Sequence, residues 1–274
     1  MANSINTNVG ALVALQNLNA TNRALETTQN RVNTGFKVAS AKDNGAIFAI
    51  ATTQRANMGA MDAVKNSMQR GQSIVDVALA AGDTAVAALE EMKALAVNIA
   101  SSTGDAQTAY LADFNTLGKE VDAALKGAKF DGVNLWNTTT ATKVTTSTTG
   151  TTYDIGFGTT DKAAATAITD ITTAATAPTT DAEAAAFTTK VDAAIKAVTA
   201  DLATLGTQSK SVGRQLTFVG KLQDATEVGI DNLVSADLAK ESARLTALQT
   251  KQQLGVQALS IANQSSSILL GLFR

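Results

Sequence analysis

The chain has 274 residues, a formal net charge of −2 and a pI near 5.2, and it contains neither cysteine nor histidine. This composition removes disulfides, thiol nucleophiles, histidine bases and nearly all zinc, copper and haem sites, and its acidic balance offers no basic surface for nucleic acid. Hydrophobic residues make up 45% of the chain but aromatic residues only 4%. Because alanine favours helix yet buries little surface, we predict thin bundles of long helices, with no catalytic, cofactor or metal site.

The two termini lack the usual signals for export or membrane insertion. No basic residue precedes Arg23, so the charged segment that opens a cleavable secretory signal is missing. The apolar run near the C-terminus extends only from Ile268 to Phe273 and contains Gly271, far short of the roughly 20 residues that cross a bilayer. The residues alone therefore predict a soluble protein without a membrane anchor.

The first predicted element is an amphipathic helix over residues 15–36. A stripe along it recurs at alternating spacings of three and four, which is typical of a coiled-coil seam. The stripe consists of Leu15, Leu18, Asn22, Leu25, Gln29, Val32 and Phe36. Its two polar members are either tolerated boundary residues or residues that set the register. The turn-rich segment from Gly35 to Gly45 then predicts a break.

Helical patterning resumes over residues 46–100, breaks at Gly104 and Asp105, and continues to about Lys126. The following segment, residues 138–180, is rich in threonine, which disfavours a long helix. Within it, Lys143–Thr148 and Thr151–Phe157 flank a Thr-Gly pair and predict a β-hairpin. We expect the rest of this segment to be an exterior loop.

A second long helix is predicted from the end of the threonine-rich segment to the C-terminus. Thr180-x-x-Glu183 follows Pro178, the only proline, and fits a capping box. The sequence allows this helix to be bent or broken near Gly206, Gly213, Gly220 and Gly229. The apolar positions expected to pair with the first helix are Leu238, Leu245, Leu248, Leu259, Leu269 and Leu272.

Together these elements predict a mainly α fold with a small β element in its middle. A helix of such length projects from any compact core of this mass, and a projecting amphipathic helix needs a partner. The economical arrangement is a long antiparallel helical hairpin, or coiled-coil rod, in which the N- and C-terminal helices are paired.

Several motifs at both ends, in the same order, resemble those of bacterial flagellins. The N-terminal motifs are Ile5-Asn6-Thr7-Asn8, the block from Arg31 to Asn44, and Phe130–Leu135. The C-terminal motifs are Ala236–Ser242, Ile261–Gln264 and Leu269–Arg274. The middle of the chain carries no resemblance, and Asn44 stands where the family usually has a second acid.

The resemblance implies a structural subunit that polymerises into the flagellar filament. It implies secretion through the flagellar type III apparatus, guided by an uncleaved N-terminal signal. Residues 1–45 and 231–274 would form an inner coiled coil, and residues 46–230, including the variable segment 138–180, an outer helical rod. Implied partners are further copies of the chain or other flagellins, an export chaperone, the filament cap and the hook-junction proteins.

Two other functions are weighed against a filament subunit. A hook–filament junction protein shares related terminal helices, but such proteins tend to diverge where this chain keeps Leu248–Leu254. A type III translocator is more remote, because it needs a longer apolar hairpin than this chain contains.

Two further expectations concern surface recognition. Where the family often has the pattern R-x-R-E-L-A-V, this chain has Glu91, Lys93 and Leu95 at the corresponding positions, so the resemblance implies weak recognition by the vertebrate flagellin receptor. The threonine-rich middle is either a plain solvated loop or a carrier of O-linked glycans. The candidate acceptors are Thr139, Thr140, Thr145, Thr146, Ser147 and Thr148.

Overall fold

The computed structural model describes residues 8–138, 140–157, 167–169, 171 and 181–271, with the backbone alone for residues 181, 182, 184 and 265–271. The chain forms two compact units, one of Met1–Ala56 with Ala225–Arg274 and one of Asn57–Asp224. The predicted fold class is confirmed, because the chain is mainly helical, its first and last helices pair, and its middle carries a two-stranded sheet. The functional boundaries at 45/46 and 230/231 stay predictions.

The helices are long and interrupted at few places. The predicted breaks after the first helix and near residue 104 are present. Gly35 and Gly104 have φ angles of 74° and 68°, a left-handed backbone that glycine adopts without steric cost. The elements are α1 (Val9–Thr34), α2 (Gly45–Ser101), α3 (Asp105–Gly127), β1 (Thr142–Thr145), β2 (Thr152–Ile155), α4 (Asp181–Val234) and α5 (Leu238–Gly271).

The break in the C-terminal helical region lies elsewhere than predicted. Helix α4 runs without interruption through all four glycines, and the chain leaves helix only between Val234 and Leu238. Each internal glycine costs about 1 kcal/mol relative to alanine. Buried residues at heptad spacing hold α4 in place, and their burial offsets that cost. They are Val191, Val198, Leu205, Val212 and Val219. Thr180, the first residue of the predicted capping box, lies outside the described residues.

In the second unit, α2, α3, α4 and the hairpin enclose one apolar core. The ring of Phe114 lies 4.5 Å from that of Phe187, and the indole of Trp136 donates a buried hydrogen bond of 2.8 Å to the carbonyl of Ala78. Helix α2 is long and apolar enough to cross a membrane by length and composition. Its apolar residues, such as Leu89 and Met92, are instead buried in this core.

The hairpin predicted in the threonine-rich middle is confirmed, with Thr142 opposite Ile155 and Thr145 opposite Thr152. Val144 is buried against α2, at a point where a Cβ on Gly71 would clash with it. The expectation that the rest of the middle is an exterior loop is wrong for its described part, because Ile168 and Ile171 belong to the core. Among the described residues of this segment, the large apolar side chains of Val144, Ile155, Phe157, Ile168 and Ile171 are buried.

Candidate functional site

The first unit pairs α1 with α5 in antiparallel orientation. Asn8 begins α1, since its Oδ1 accepts from the Ala11 amide at 3.0 Å. Its Nδ2 donates to the Ala262 carbonyl at 2.7 Å, so one side chain both caps α1 and contacts α5. At the other end of the pair, Arg31 of α1 meets Glu241 of α5. These contacts place the N-terminus of α1 beside the C-terminal half of α5.

The enclosed face of α1 coincides only partly with the predicted stripe. Leu18, Leu25 and Val32 are half-buried, but Leu15, Asn22 and Gln29 are exposed. Alanine and threonine occupy the remaining heptad positions. Because these side chains are small, the two helices can approach each other closely. These residues are Ala11, Ala14, Thr21 and Thr28, of which Thr28 is buried.

Phe36, the last residue of the predicted stripe, is not part of α1. Gly35 ends the helix, so Phe36 enters an antiparallel bridge with Ser235. Its ring lies 5.7 Å from the guanidinium carbon of Arg55, within the range of a cation–π contact. The expectation that Phe36 lies in the helical seam is therefore wrong.

The enclosed face of α5 contains three of the predicted leucines, Leu245, Leu248 and Leu259. Leu238 is exposed, the side chain of Leu269 is not described, and Leu272 lies outside the described residues. Polar and small residues fill the remaining positions of a regular heptad. They are Glu241, Gln252, Gly255 and Ala262.

Two contacts show how closely the helices approach at mid-length. A Cβ on Gly255 would lie 3.2 Å from Cδ1 of Leu18, tighter than ordinary van der Waals contact. One turn away, Gln252 donates from Nε2 to Oδ1 of Asn22 at 2.8 Å. Asn22 is thus exposed but still contacts α5 at the flank of the seam.

An ion pair closes the other end of the seam. Nη1 of Arg31 lies 3.2 Å from Oε1 of Glu241, and these side chains are 30% and 11% exposed. Beside the pair, the Lys37 amide donates to the Val234 carbonyl at 2.7 Å, and the Ala236 amide to the Gly35 carbonyl at 2.8 Å. Two segments about 200 residues apart in sequence are joined here by backbone hydrogen bonds.

The loop between α1 and α2 is held by Asp43. Its Oδ2 accepts from the Ser40 amide at 2.9 Å, from the Ala39 amide at 3.1 Å and from the Ser40 hydroxyl. The backbone and side-chain hydrogen bonds from Ser40 hold the pKa of Asp43 below its ordinary value of 3.8. Asn44 caps α2, since its Oδ1 accepts from the Ile47 amide at 3.1 Å.

The other sequence-predicted residues lie in the second unit. Glu91 and Lys93 are exposed on α2, and Leu95 is half-buried; Lys93 pairs with Asp192 at 2.7 Å. Among the glycan candidates, Thr140 and Thr148 are exposed, Thr139 lies outside the described residues, and the others are half-buried in or next to β1. The hydroxyls at the hairpin tip bond to one another, with Ser147 and Thr149 2.9 Å apart.

Arg31, Glu241 and Gly255 were missed as members of the site by the apolar pattern. For Glu241 and Gly255, the signal that could have found them is the heptad itself; Arg31 only flanks the heptad position Val32. Glu241 precedes Leu245 and Leu248 at spacings of four and seven, and Gly255 follows Leu248 by seven. A charged or small residue at such a position indicates a specific partner on the opposing helix.

Comparison with known proteins places both chain ends in one family. Residues 5–141 match the bacterial flagellin N-terminal helical region, and residues 188–273 match the bacterial flagellin C-terminal helical region. The chain is 51% identical to flagellin FljM and 52% identical to flagellin FljK of Caulobacter vibrioides, covering 99% of each protein and of itself. It is 36% identical to a flagellin of Brucella melitensis at the same coverage. The chain therefore belongs to the bacterial flagellin family and is a structural subunit of the extracellular flagellar filament.

Proposed function

We propose that the outer faces of α1 and α5 are the surfaces through which one copy packs against its neighbours in the filament. The observation that carries this proposal is a set of large apolar side chains left exposed by the helix pair. Leu15 is 43% exposed and Leu238 is 50% exposed, although both lie in an apolar pattern. The same holds for Val9, Leu12, Val13, Leu254, Val256 and Ile261.

A two-helix pair of this kind is marginal by itself. Of its fourteen seam positions, six are alanine, threonine or glycine, which remove little apolar area from water, and two more are Glu241 and Gln252. Helix nucleation and backbone ordering oppose it, at about 1–2 kcal/mol of entropy per residue fixed. Burial of the outer faces by neighbouring copies supplies the missing contacts. We infer that the chain ends are disordered in the free chain and become ordered on assembly.

Replacement of Leu15 by Asp tests the assembly surface directly. Because this side chain is exposed in the single chain, the free protein should keep its melting temperature. A neighbour that covers position 15 would have to bury a charge, so filament formation should fail. Electron microscopy and sedimentation after nucleation with filament seeds measure this.

The matched control is Gln16→Asp, which places the same charge at the adjacent exposed polar position. This variant should assemble. Normal filaments from Leu15→Asp would contradict the proposal, and failure of both variants would show that charge on this helix, rather than loss of an apolar contact, blocks assembly.

The exposed ends also suit the partners that the family resemblance implies. Five flagellins of Caulobacter vibrioides, FljM, FljK, FljO, FljN and FljJ, are each related to this chain over nearly its full length. We infer that mixed filaments with such paralogues form through the same faces. An export chaperone, the filament cap and the hook-junction proteins are proposed to bind the same apolar ends.

We infer a structural and non-catalytic role, since the chain has no histidine or cysteine.

O-linked sugars, if attached, would be carried by hydroxyls near the hairpin tip. Thr148 is exposed there, while Val144 anchors the hairpin in the core. The alternative is a plain solvated tip. The intact mass of native filaments separates the two, because unmodified protein has the mass of the bare chain, 28.1 kDa.

We propose that this chain activates the vertebrate flagellin receptor only weakly, because of the charge on the α2 surface. Glu91 is exposed beside a groove that Leu95, Asp113 and Leu117 also line. A receptor surface that accommodates an arginine would meet a carboxylate here, and like charges across an interface cost several kcal/mol. A reporter-cell assay should give a far weaker response than a standard activating flagellin. The double variant Glu91→Arg/Lys93→Arg should increase the response, and an unmodified chain as active as the standard would contradict the proposal.

A further inference from the structure

Burial is graded along the α1–α5 pair. At one end lies the connector junction, which we define as residues 31–38 and 234–241, where Val38, Val234 and Glu241 are buried. Further along the seam, Thr28 and Leu248 are also buried, while Leu245 between Glu241 and Leu248 is half-buried. Toward the other end burial falls, since among the described side chains of 8–27 and 249–264 none is buried. The pair is enclosed at the junction and open at the chain termini.

Hydrogen bonding follows the same gradient. At the connector junction, backbone groups bond across the pair, from the amides of Lys37 and Ala236, and Lys37 Nζ donates to the Asn232 carbonyl at 3.0 Å. Toward the termini, side chains bond across the pair, as between Gln252 and Asn22 and between Asn8 and Ala262. Backbone bonds between segments require both segments to be ordered together.

The ion pair at the connector junction makes the order of the two helices interdependent. In the part of the chain that the structure describes, Nε of Arg31 and Oε2 of Glu241 are buried without a hydrogen-bond partner. Such a pair adds little net stability, but a single buried charge without its partner is costly. Glu241 therefore becomes buried only when Arg31, which is itself 30% exposed, is in place.

We propose that the connector junction is where pairing of the chain ends begins, and that α1 and α5 then pair progressively toward Asn8 and Ala262. Nucleation is the costly step of helix formation and extension the cheap one. Residues near 57 and 224 belong to the second unit, where Lys65 contacts Gln223. Folding of that unit therefore shortens the loop that must close before the junction forms. The inference rests on the proposed function in taking the ends to be incompletely paired in the free chain, with the connector junction paired for the largest fraction of the time.

Amide hydrogen exchange of the free, full-length chain tests the proposal. We expect exchange at residues 31–38 and 234–241 to be at least about tenfold slower than at residues 9–20 and 252–262, because pairing that begins at the junction also opens there last. Fast exchange throughout both ends would overturn the proposal while leaving ordering on assembly intact. Uniformly slow exchange would overturn the proposal and contradict ordering on assembly as well.

Three variants distinguish the connector junction from the end of the pair near the chain termini. Glu241→Gln leaves Arg31 without its charge partner, so junction protection should fall at least about tenfold and terminal protection with it. The charge-swapped variant Arg31→Glu/Glu241→Arg should restore it. Leu18→Ala, a seam change nearer the terminus, should leave junction protection within about twofold of the parent. Peptides of the second unit serve as the internal control.

Loss of junction protection in Leu18→Ala equal to that in Glu241→Gln would overturn the proposal, because pairing would then depend equally on both ends. A charge swap that fails to restore protection would overturn the role given to the ion pair.

Discussion

At the residue scale, the glycines of α2 and of α4 differ in the space around their Cα atoms. Gly71 and Gly82 in α2 are sites of close packing, since a Cβ at the first would clash with Val144 and at the second would come within 2.8 Å of the Trp136 ring. Gly206, Gly213 and Gly220 in α4 face open space, with nothing within 4 Å of an added Cβ. The first pair is required by the core, and the α4 glycines are not required by the fold of a single chain.

Alanine substitutions should therefore shift stability in opposite directions. Gly213→Ala should stabilise the chain by about 1 kcal/mol because it removes backbone entropy without a clash. Gly71→Ala should destabilise it by about 1–3 kcal/mol, since Val144 is buried and cannot move aside. Calorimetry of the free variants measures both, and destabilisation by Gly213→Ala would show that α4 makes a close contact at that position.

At the element scale, the sequence predicted the type and order of most elements because their signals are local. Helix periodicity, the left-handed glycines and the Thr-Gly turn identify α1, α2, α3 and the hairpin. The contact face of α1 was only partly predictable from apolar residues, because Thr28 carries a polar hydroxyl and is nevertheless buried against α5. The uninterrupted course of α4 depends on burial between distant segments, which no local propensity encodes.

The hairpin offers an element-scale test of this tertiary contribution. Val144→Ala should destabilise the second unit by about 1–3 kcal/mol, since it removes buried methyl groups that contact α2. Thr148→Ala, at an exposed position four residues further on, should change stability by less than about 0.5 kcal/mol. Urea unfolding monitored by the fluorescence of Trp136 gives both values. Equal effects would mean that the hairpin does not pack on the core.

At the scale of the whole molecule, the two units differ in how they are stabilised. The second unit has a continuous core that includes Phe114, Leu89 and Trp136. The first unit has one narrow seam and a set of exposed apolar residues, among them Leu12 and Ile261. We expect from this difference that the second unit folds alone and that the first needs neighbours. This division suits a subunit that is secreted and then polymerises.

The rate of protease cleavage in the chain ends, compared between free chains and assembled filaments, tests this account most directly. In the free chain we expect rapid loss of roughly the first and last 40 residues, leaving a resistant core near residues 46–230, because open helices are cleaved in proportion to their unfolded population. In filaments the same sites should be cleaved at least about a hundredfold more slowly, since neighbouring copies stabilise the ordered form. Equal cleavage rates in the two states would contradict the claim that assembly orders the chain ends.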